Sequence, residues 1–486
     1  MIFISLGVLF IIIVIILIKT HLFSTRYLKV EKIELEEIVI PDAIKRLSKA
    51  IRLKTISSQE DSKMESKPFV DFQILLEKSY PAIHNNLKKE VINQYSLLYK
   101  WPGKNPKLEP IALLAHFDVV PVETGTQDDW TFEPFSGEVA DGFVWGRGTL
   151  DMKGSLMAIM EAIEKLLTNG FSPERTIYLA FGHDEELGGT QGAKQIMACL
   201  KKQGVQLSYT LDEGKNVLNK KISPSKKMLA VIGIAEKGYL TLKLSATGLG
   251  GHPSVPPFKT SIGMLCKAMN RIEKKRMSAT LTEPVDAFYH YIGPDMPFYK
   301  KMLFANKWIF KHFILFILGK SENTNAMIRT TSAPTMMLSG VKENVLPSKA
   351  HLLINFRILP GDTIKKVVKH IKKVIDEDAI TIEIFKNIIS EPSPISSTDS
   401  NGFFNIQKTI CQVFPDATVS PSLVLGTTDS RHYIEVSRDR YHFTPFVFGS
   451  KDSSRIHGTN ERISIKGYIR AIQYYIQLLK NSAEIK

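Results

Sequence analysis

Apolar and polar positions along this chain follow two rhythms, one of helical period and one of short, unbroken apolar runs. The helical period marks Ile44 to Leu53 and Lys67 to Tyr80, and Ile111 to His116 is a run suited to a strand buried on both faces. A helix from Ser155 to Leu167, an apolar strand from Thr176 to Gly182, a helix from Thr190 to Lys201 and a strand opening at Tyr209 to Leu211 follow. That alternation predicts an α/β domain, a mostly parallel central sheet flanked by helices, with ligands at the carboxyl ends of its strands.

Around Gly238 the rhythm changes. Leu240 to Ala246 alternates like a half-exposed strand, Ser261 to Ile272 is helical, and Met336 to Leu338 and His351 to Leu359 are strand-like. Ile364 to Ile375 is helical again, and Ile380 to Phe385 returns to period two. This order predicts an inserted α+β unit with a four-stranded sheet over residues 237–388, between catalytic parts 44–236 and 389–486. The Pro- and Ser-rich stretch Ser390 to Ser400 marks the second boundary, after which α/β alternation resumes.

Two segments are almost wholly apolar. Ile2 to Ile18 has about the minimum length to span a bilayer and is followed by Lys19, so residues 1–20 are expected to form a single-pass membrane anchor and 21–43 a linker. No basic region precedes the run and no small-residue cleavage site follows it, which argues against a cleaved signal peptide; cleavage would give a secreted form. Lys19, Arg26, Lys29 and Lys32 all follow the run, and by the positive-inside rule they favour a cytoplasmic catalytic domain; long domains cross membranes despite such charges, which leaves the side open. The second segment, Trp308 to Leu318, is too short to span. It reads either as a buried helix or as an exposed surface that touches a bilayer or receives an acyl chain.

Composition alters this picture little. The 486 residues are 44% hydrophobic and 23% charged, which is globular and long enough for more than one core. The net charge of +14 comes from lysines scattered through amphipathic stretches such as Thr363 to Lys373, without interleaved stacking aromatics, so nucleic acid is not an expected partner. Cys199, Cys266 and Cys411 are widely spaced within apolar segments and are expected to be buried packing residues.

The chemistry gathers at predicted strand ends. His116-Phe117-Asp118 closes the first buried strand, and side chains two apart share a face, which places Asp118 to fix the tautomer of His116. Asp151 stands just before a helix, where an N-cap role is compatible with metal binding. The next strand ends in Gly182-His183-Asp184-Glu185-Glu186-Leu187-Gly188-Gly189. Consecutive acids there are costly unless a cation neutralises them, and the flanking glycines suggest close backbone approach. Asp212 ends a third strand, and His457 lies near the C-terminus. Two imidazoles and three carboxylates are the set needed for two zinc ions sharing one carboxylate, with Glu185 placed as general base.

The order and wording of HFDVVP, GRGTLDMKG, HDEELGG, LDEG, GLGGHPS, NVLP, NFRILPGD, GTTDSR and IHGTNERI resemble the aminoacylase and carboxypeptidase family of cocatalytic zinc hydrolases. The wording is most similar to the carboxypeptidase S branch, which includes enzymes of N-fatty-acyl amino acids. The likeness runs from about residue 45 to the C-terminus. It implies two Zn2+ per chain, replaceable by Co2+ or Mn2+, with His116 and Asp212 on one ion, Glu186 and His457 on the other, and Asp151 bridging. Asp118 would orient His116, and Glu185 would be the base. A cis peptide after Asp151 is implied as well. The insert would be a lid and dimerisation domain whose His252 helps hold the transition-state oxyanion, commonly from the partner of a homodimer. Asn344, Arg357 and Arg431 would bind the substrate carboxylate, a task that suits arginine's bidentate geometry.

The expected activity is therefore hydrolysis of an amide bond next to a free carboxylate, in a small peptide or an N-acyl amino acid. The alternative is a catalytically silent substrate-binding protein on the same fold, which usually lacks a ligand or the base. There is no GxSxG elbow, no GxxxxGKS/T loop and no HExxH helix, so serine hydrolases, NTPases and single-zinc proteases lack their minimum residues.

Overall fold

The computed structural model describes residues 2–24, 28–58, 65–225, 227–385 and 389–483. Arg26, one of the charges weighed for orientation, and the end of the expected insert at 386–388 lie outside the described residues.

A ten-stranded sheet forms the centre. Strands Ile177–Gly182, Ile111–His116, Leu207–Asp212 and Ser437–His442 lie side by side and parallel, so their carboxyl ends share one edge. The unbroken apolar run of the Ile111–His116 strand has a simple cause. Ile111, Leu113 and Ala115 face a core shared with helices Lys153–Thr168 and Ile465–Ala483, while Ala112 and Leu114 face a second core under helix Ala193–Lys202. With alternate side chains on opposite faces and both faces covered, no position is left for a polar residue. The antiparallel hairpin Lys88–Ile92 and Ser96–Trp101 flanks one side of the sheet. Sequence periodicity does not reveal it.

The separate four-stranded antiparallel sheet is present, in the order Thr331–Ser339, Lys349–Ile358, Gly238–Thr247, Ile380–Ile384. Helices Ser261–Lys274 and Ile364–Ile375 cover one face, and Leu240, Leu242, Leu244, Ile354 and Phe356 meet them there. Helix Ile364–Ile375 shows how locally this is encoded. The Thr363 side chain caps its start by accepting from the Lys366 amide, and Val367, Ile371, Val374 and Ile375 form its buried stripe. Between these elements, helix Glu283–Ile292 packs on strand Ala417–Val424 of the large sheet, and helices Phe298–Ala305 and Lys307–Leu318 extend the same buried cluster outward from it.

Helix Lys307–Leu318 is half of each reading offered for it. Ile314 and Leu318 are buried, while Trp308, Ile309, Phe313, Phe316 and Ile317 are exposed. The N-terminal helix Ile2–Leu22 has its side chains described from Leu6 onward, and among the described residues no helix is long and apolar enough to cross a membrane. One expectation is corrected. Cys266 is exposed and Cys199 and Cys411 are only half-buried, because the buried stripe of helix Ser261–Lys274 is Met264, Leu265, Ala268 and Ile272, which leaves position 266 on the outer face.

Candidate metal centre

The shared edge of the parallel strands delivers the site. His116 is the last residue of its strand, opposite Gly182 in register, and Glu185 and Glu186 open the short turn Glu185–Leu187 just beyond Gly182. Asp151 precedes helix Lys153–Thr168, and the Asp151–Met152 peptide is cis, as the family resemblance implies. His457 arrives from far along the chain with φ of 59°, a conformation seldom adopted by residues other than glycine.

These groups converge on the Asp151 carboxylate. Its Oδ1 lies 3.0 Å from His116 Nε2 and its Oδ2 3.0 Å from His457 Nε2. His457 Nε2 is 3.1 Å from Glu186 Oε1, and His116 Nε2 is 3.3 Å from Glu213 Oε1. Three groups offer one donor atom each within 4.8 Å of one another: His116 with Asp151 and Glu213, Asp151 with Glu186 and His457, and His116 with Glu185 and Glu186. Imidazole nitrogens and carboxylate oxygens are zinc's ordinary donors, and one carboxylate lies between two such sets, so the residues fit a pair of divalent cations.

Asp118 ties the arrangement together. Its carboxylate lies 3.3 Å from His116 Nδ1 and accepts the Glu185 and Glu186 backbone amides, each at 3.1 Å. One buried carboxylate thus positions an imidazole and both glutamates. The two residues before Glu185 have other work. His183 meets the Ser96 hydroxyl, and Asp184 accepts the Gln191 and Gly192 amides.

At the third strand end the geometry differs from what the sequence suggests. Asp212 accepts the Thr428 hydroxyl at 2.8 Å and the Ser430 amide at 2.9 Å, so its carboxylate is engaged with the loop 428–430. Its neighbour Glu213 is the acid aimed at His116. Successive side chains at a strand end point in opposite directions, so a shift of one residue exchanges these roles.

Arg357 and Arg431 lie near the cluster and close enough to each other to interact. Arg357, on strand Lys349–Ile358, stacks 4.8 Å over the Tyr239 ring; burial lowers its pKa, Tyr239 raises it, Arg431 lowers it further and Glu185 opposes. Arg431 donates to the Gly188 carbonyl at 2.7 Å. His252 and Asn344 lie in loops 248–260 and 340–348, which follow strands of the small sheet. Their loops are joined by Gly251–Leu346 backbone bonds, the His252 ring meets the Ser254 hydroxyl, and both residues are exposed.

The cluster carries more negative charge than the protein neutralises. Burial, assisted by Asp429, Glu213 and Glu186, pushes Glu185 well above the carboxylate range, and burial pushes Glu213 up to about 8. Burial alone would also raise Asp151, but hydrogen bonds from His116 and His457 outweigh it and hold Asp151 low. His457 is raised to about 10 by Asp151 and Glu186. Acids crowded in this way call for a cation.

Three supporting residues were not singled out by sequence reasoning. Glu461 is fully buried; its Oε1 accepts the Gly148, Leu150 and Asp151 amides and its Oε2 accepts Arg147 at 2.7 Å. Arg147 also donates to the His457 carbonyl, so the two residues join the Asp151 loop to the His457 turn. Both stand inside the motifs already quoted, which was the available signal. Asp429 explains the glycines. A Cβ on Gly189, which has φ of 65°, would lie 2.0 Å from Asp429 Oδ1, and one on Gly182 would lie 2.6 Å from Oδ2.

Comparison with known proteins agrees with the geometry. The profile of Peptidase family M20/M25/M40 matches residues 112–481. The chain is similar to the probable carboxypeptidase S-like 2 of Dictyostelium discoideum, 41% identical with 90% of this chain and 84% of that one covered. It is also similar to the N-fatty-acyl-amino acid synthase/hydrolase PM20D1.1 of Danio rerio, 39% identical with 89% and 84% covered. Among solved structures, an M20 family metallo-carboxypeptidase from Sulfolobus solfataricus shares the fold with a TM-score of 0.65 at 19% identity, over 91% of this chain and 99% of that one. With a family profile spanning most of its length and a cluster of histidines and acids at the strand ends, the chain belongs to peptidase family M20/M25/M40 and is a hydrolase of amide bonds.

Proposed function

We propose that this chain cleaves an amide bond adjacent to a free carboxylate, in an N-acyl amino acid or small peptide, at a centre of two zinc ions. The observation that carries the reading is the Asp151 carboxylate between two imidazoles, 3.0 Å from each. His116 and Glu213 would hold one ion and Glu186 and His457 the other, with Asp151 shared; Glu213 replaces Asp212 because it is the acid near His116. Bound there, divalent cations supply Lewis acidity that polarises a carbonyl and lowers the pKa of water.

The chain's own residues do the rest. Glu185 takes a proton from the attacking water as the new C–O bond forms, then gives it to the amine nitrogen as the C–N bond breaks. Asp118 holds Glu185 and His116 in mutual register through the bonds described above. Arg357 and Arg431 bind the carboxylate of the substrate, and Arg357's burial strengthens that attraction. His252 and Asn344 would act from the insert, residues 237–388, when it closes or when a second copy presents it. A homodimer is supported by the exposed Met336, Met337 and Leu338 on edge strand Thr331–Ser339. Membrane attachment through helix Ile2–Leu22 is supported by its exposed Leu6, Leu9, Phe10 and Leu17.

The test combines metal content by plasma mass spectrometry with release of free amino acid from a panel of dipeptides and N-acyl amino acids. About two zinc per chain, with turnover lost in Glu185→Ala and metal retained, is the expected result. A folded chain that neither binds divalent metal nor turns over the panel after zinc or cobalt reconstitution would refute the reading and favour a silent binding protein.

A further inference from the structure

We propose that the outer face of helix Lys307–Leu318 is a lipid-facing surface that seats the enzyme on the surface of an anionic bilayer. The face is made of two adjacent helical rows, Trp308 with His312 and Phe316, and Ile309 with Phe313 and Ile317. Its apolar members are 41–61% exposed, a contiguous patch of a kind that soluble surfaces seldom leave uncovered. The inner row, Ile314 and Leu318, is buried in one apolar cluster with Phe304 and Ile328 of the neighbouring helices, which leaves the other face outward.

What covers the face follows from its neighbours. Helix Ile2–Leu22, itself apolar and exposed, docks beside it. Asn306, the residue before Lys307, donates to the Ile16 carbonyl and the Thr20 hydroxyl at 3.2 and 3.1 Å, and the Phe23 ring meets that of His290 at a tilt, 5.4 Å between centres. Lysines accompany the aromatic rings: Lys19 lies 5.5 Å from the centre of Trp308 and Lys320 4.5 Å from that of Phe316. Lys300 lies 6.0 Å from the exposed Tyr299, and Lys311 is exposed on the helix itself. Trp and Phe flanked by lysines is the pattern of a helix lying in the headgroup region, rings in the acyl boundary and ammonium groups on anionic lipid. A second protein copy would need a complementary acidic or apolar partner face; a bilayer satisfies both halves at once.

The chain carries its own probe. Trp101, Trp130 and Trp145 are buried and Trp308 is 55% exposed, so an emission change on lipid binding reports Trp308. The full chain is bound to vesicles of phosphatidylcholine and phosphatidylserine in equal parts, with chains brominated just below the glycerol. Loss of most of the Trp308 emission, absent in Trp308→Phe, is the expected result. Phe313→Glu with Phe316→Glu, two exposed positions that leave the core intact, is expected to restore Trp308 emission while amide turnover of a soluble substrate stays the same. Vesicle-bound chain in which Trp308 remains open to aqueous iodide and is untouched by bromine overturns the proposal. So does a lipid-free dimer in which Trp308 is already shielded. Neither outcome touches the amide chemistry, which the metal and turnover measurements test separately.

Discussion

The two ends of the proposed active site are built in opposite ways. Around the strand ends several buried acids have defined partners: Asp118 holds two amides and an imidazole, Glu461 holds three amides and an arginine, and Asp212 holds a hydroxyl and an amide. Beside the small sheet, His252 and Asn344 stand exposed in two loops that are joined to each other. The first region is organised within one chain and has its electrostatics in place. The second belongs to a separate sheet with its own core. Under the proposed function, electrostatic preorganisation falls to one sheet and closure to the other, each with its own core.

Substitutions can break that contrast. The largest effect is expected for Glu185→Ala, with kcat reduced by about 10²–10⁴-fold, zinc content unchanged and no loss of thermal stability, since a crowded acid has been removed. Steady-state kinetics beside metal analysis checks this. Next comes Glu461→Ala, which strands the buried Arg147 guanidinium and frees the Asp151 loop; a stability loss of about 3–5 kcal/mol is expected in urea unfolding, with turnover falling alongside it.

Smaller effects sharpen the contrast rather than break it. His252→Ala is expected to lower kcat by about 10²-fold while melting temperature and zinc content remain those of the parent, because nothing in the buried cluster leans on it. If the insert acts from a second copy, mixing His252→Ala with Glu185→Ala chains restores part of the activity. Asp118→Asn is expected to weaken zinc affinity by about 10–100-fold, measured by competition with a chelator, because the imidazole and both glutamates lose a common support. Finally, Glu213→Gln should lower zinc content more than Asp212→Asn does. The reverse order would return the ligand role to Asp212.

Most of this architecture was legible in the sequence because the physics that makes it is local. The run Ile111 to His116 had to be a doubly covered strand, and Thr363 with the stripe of Val367, Ile371 and Val374 had to start and face a helix. The same locality marks what the sequence leaves to the fold. A choice between Asp212 and Glu213 depends on which way the strand's last residue faces, and that is set by loop 428–430, more than two hundred residues away. Glu461 reads as one more polar loop residue until the fold buries it against Gly148 and Asp151. Cys266 was misjudged because an apolar neighbourhood in sequence is not an apolar face of a helix.

The bond from Glu461 to the Asp151 loop spans 310 residues, and the contact between His457 and Glu186 spans 271. A ribosome making this chain therefore displays His116, Asp151 and both glutamates long before it makes the residues that complete the centre. Until His457 and Glu461 emerge, the nascent hydrolase holds half of the proposed site, without the clamp on its central aspartate. A stop codon before His457 should therefore yield a product that is folded in part and hydrolytically silent.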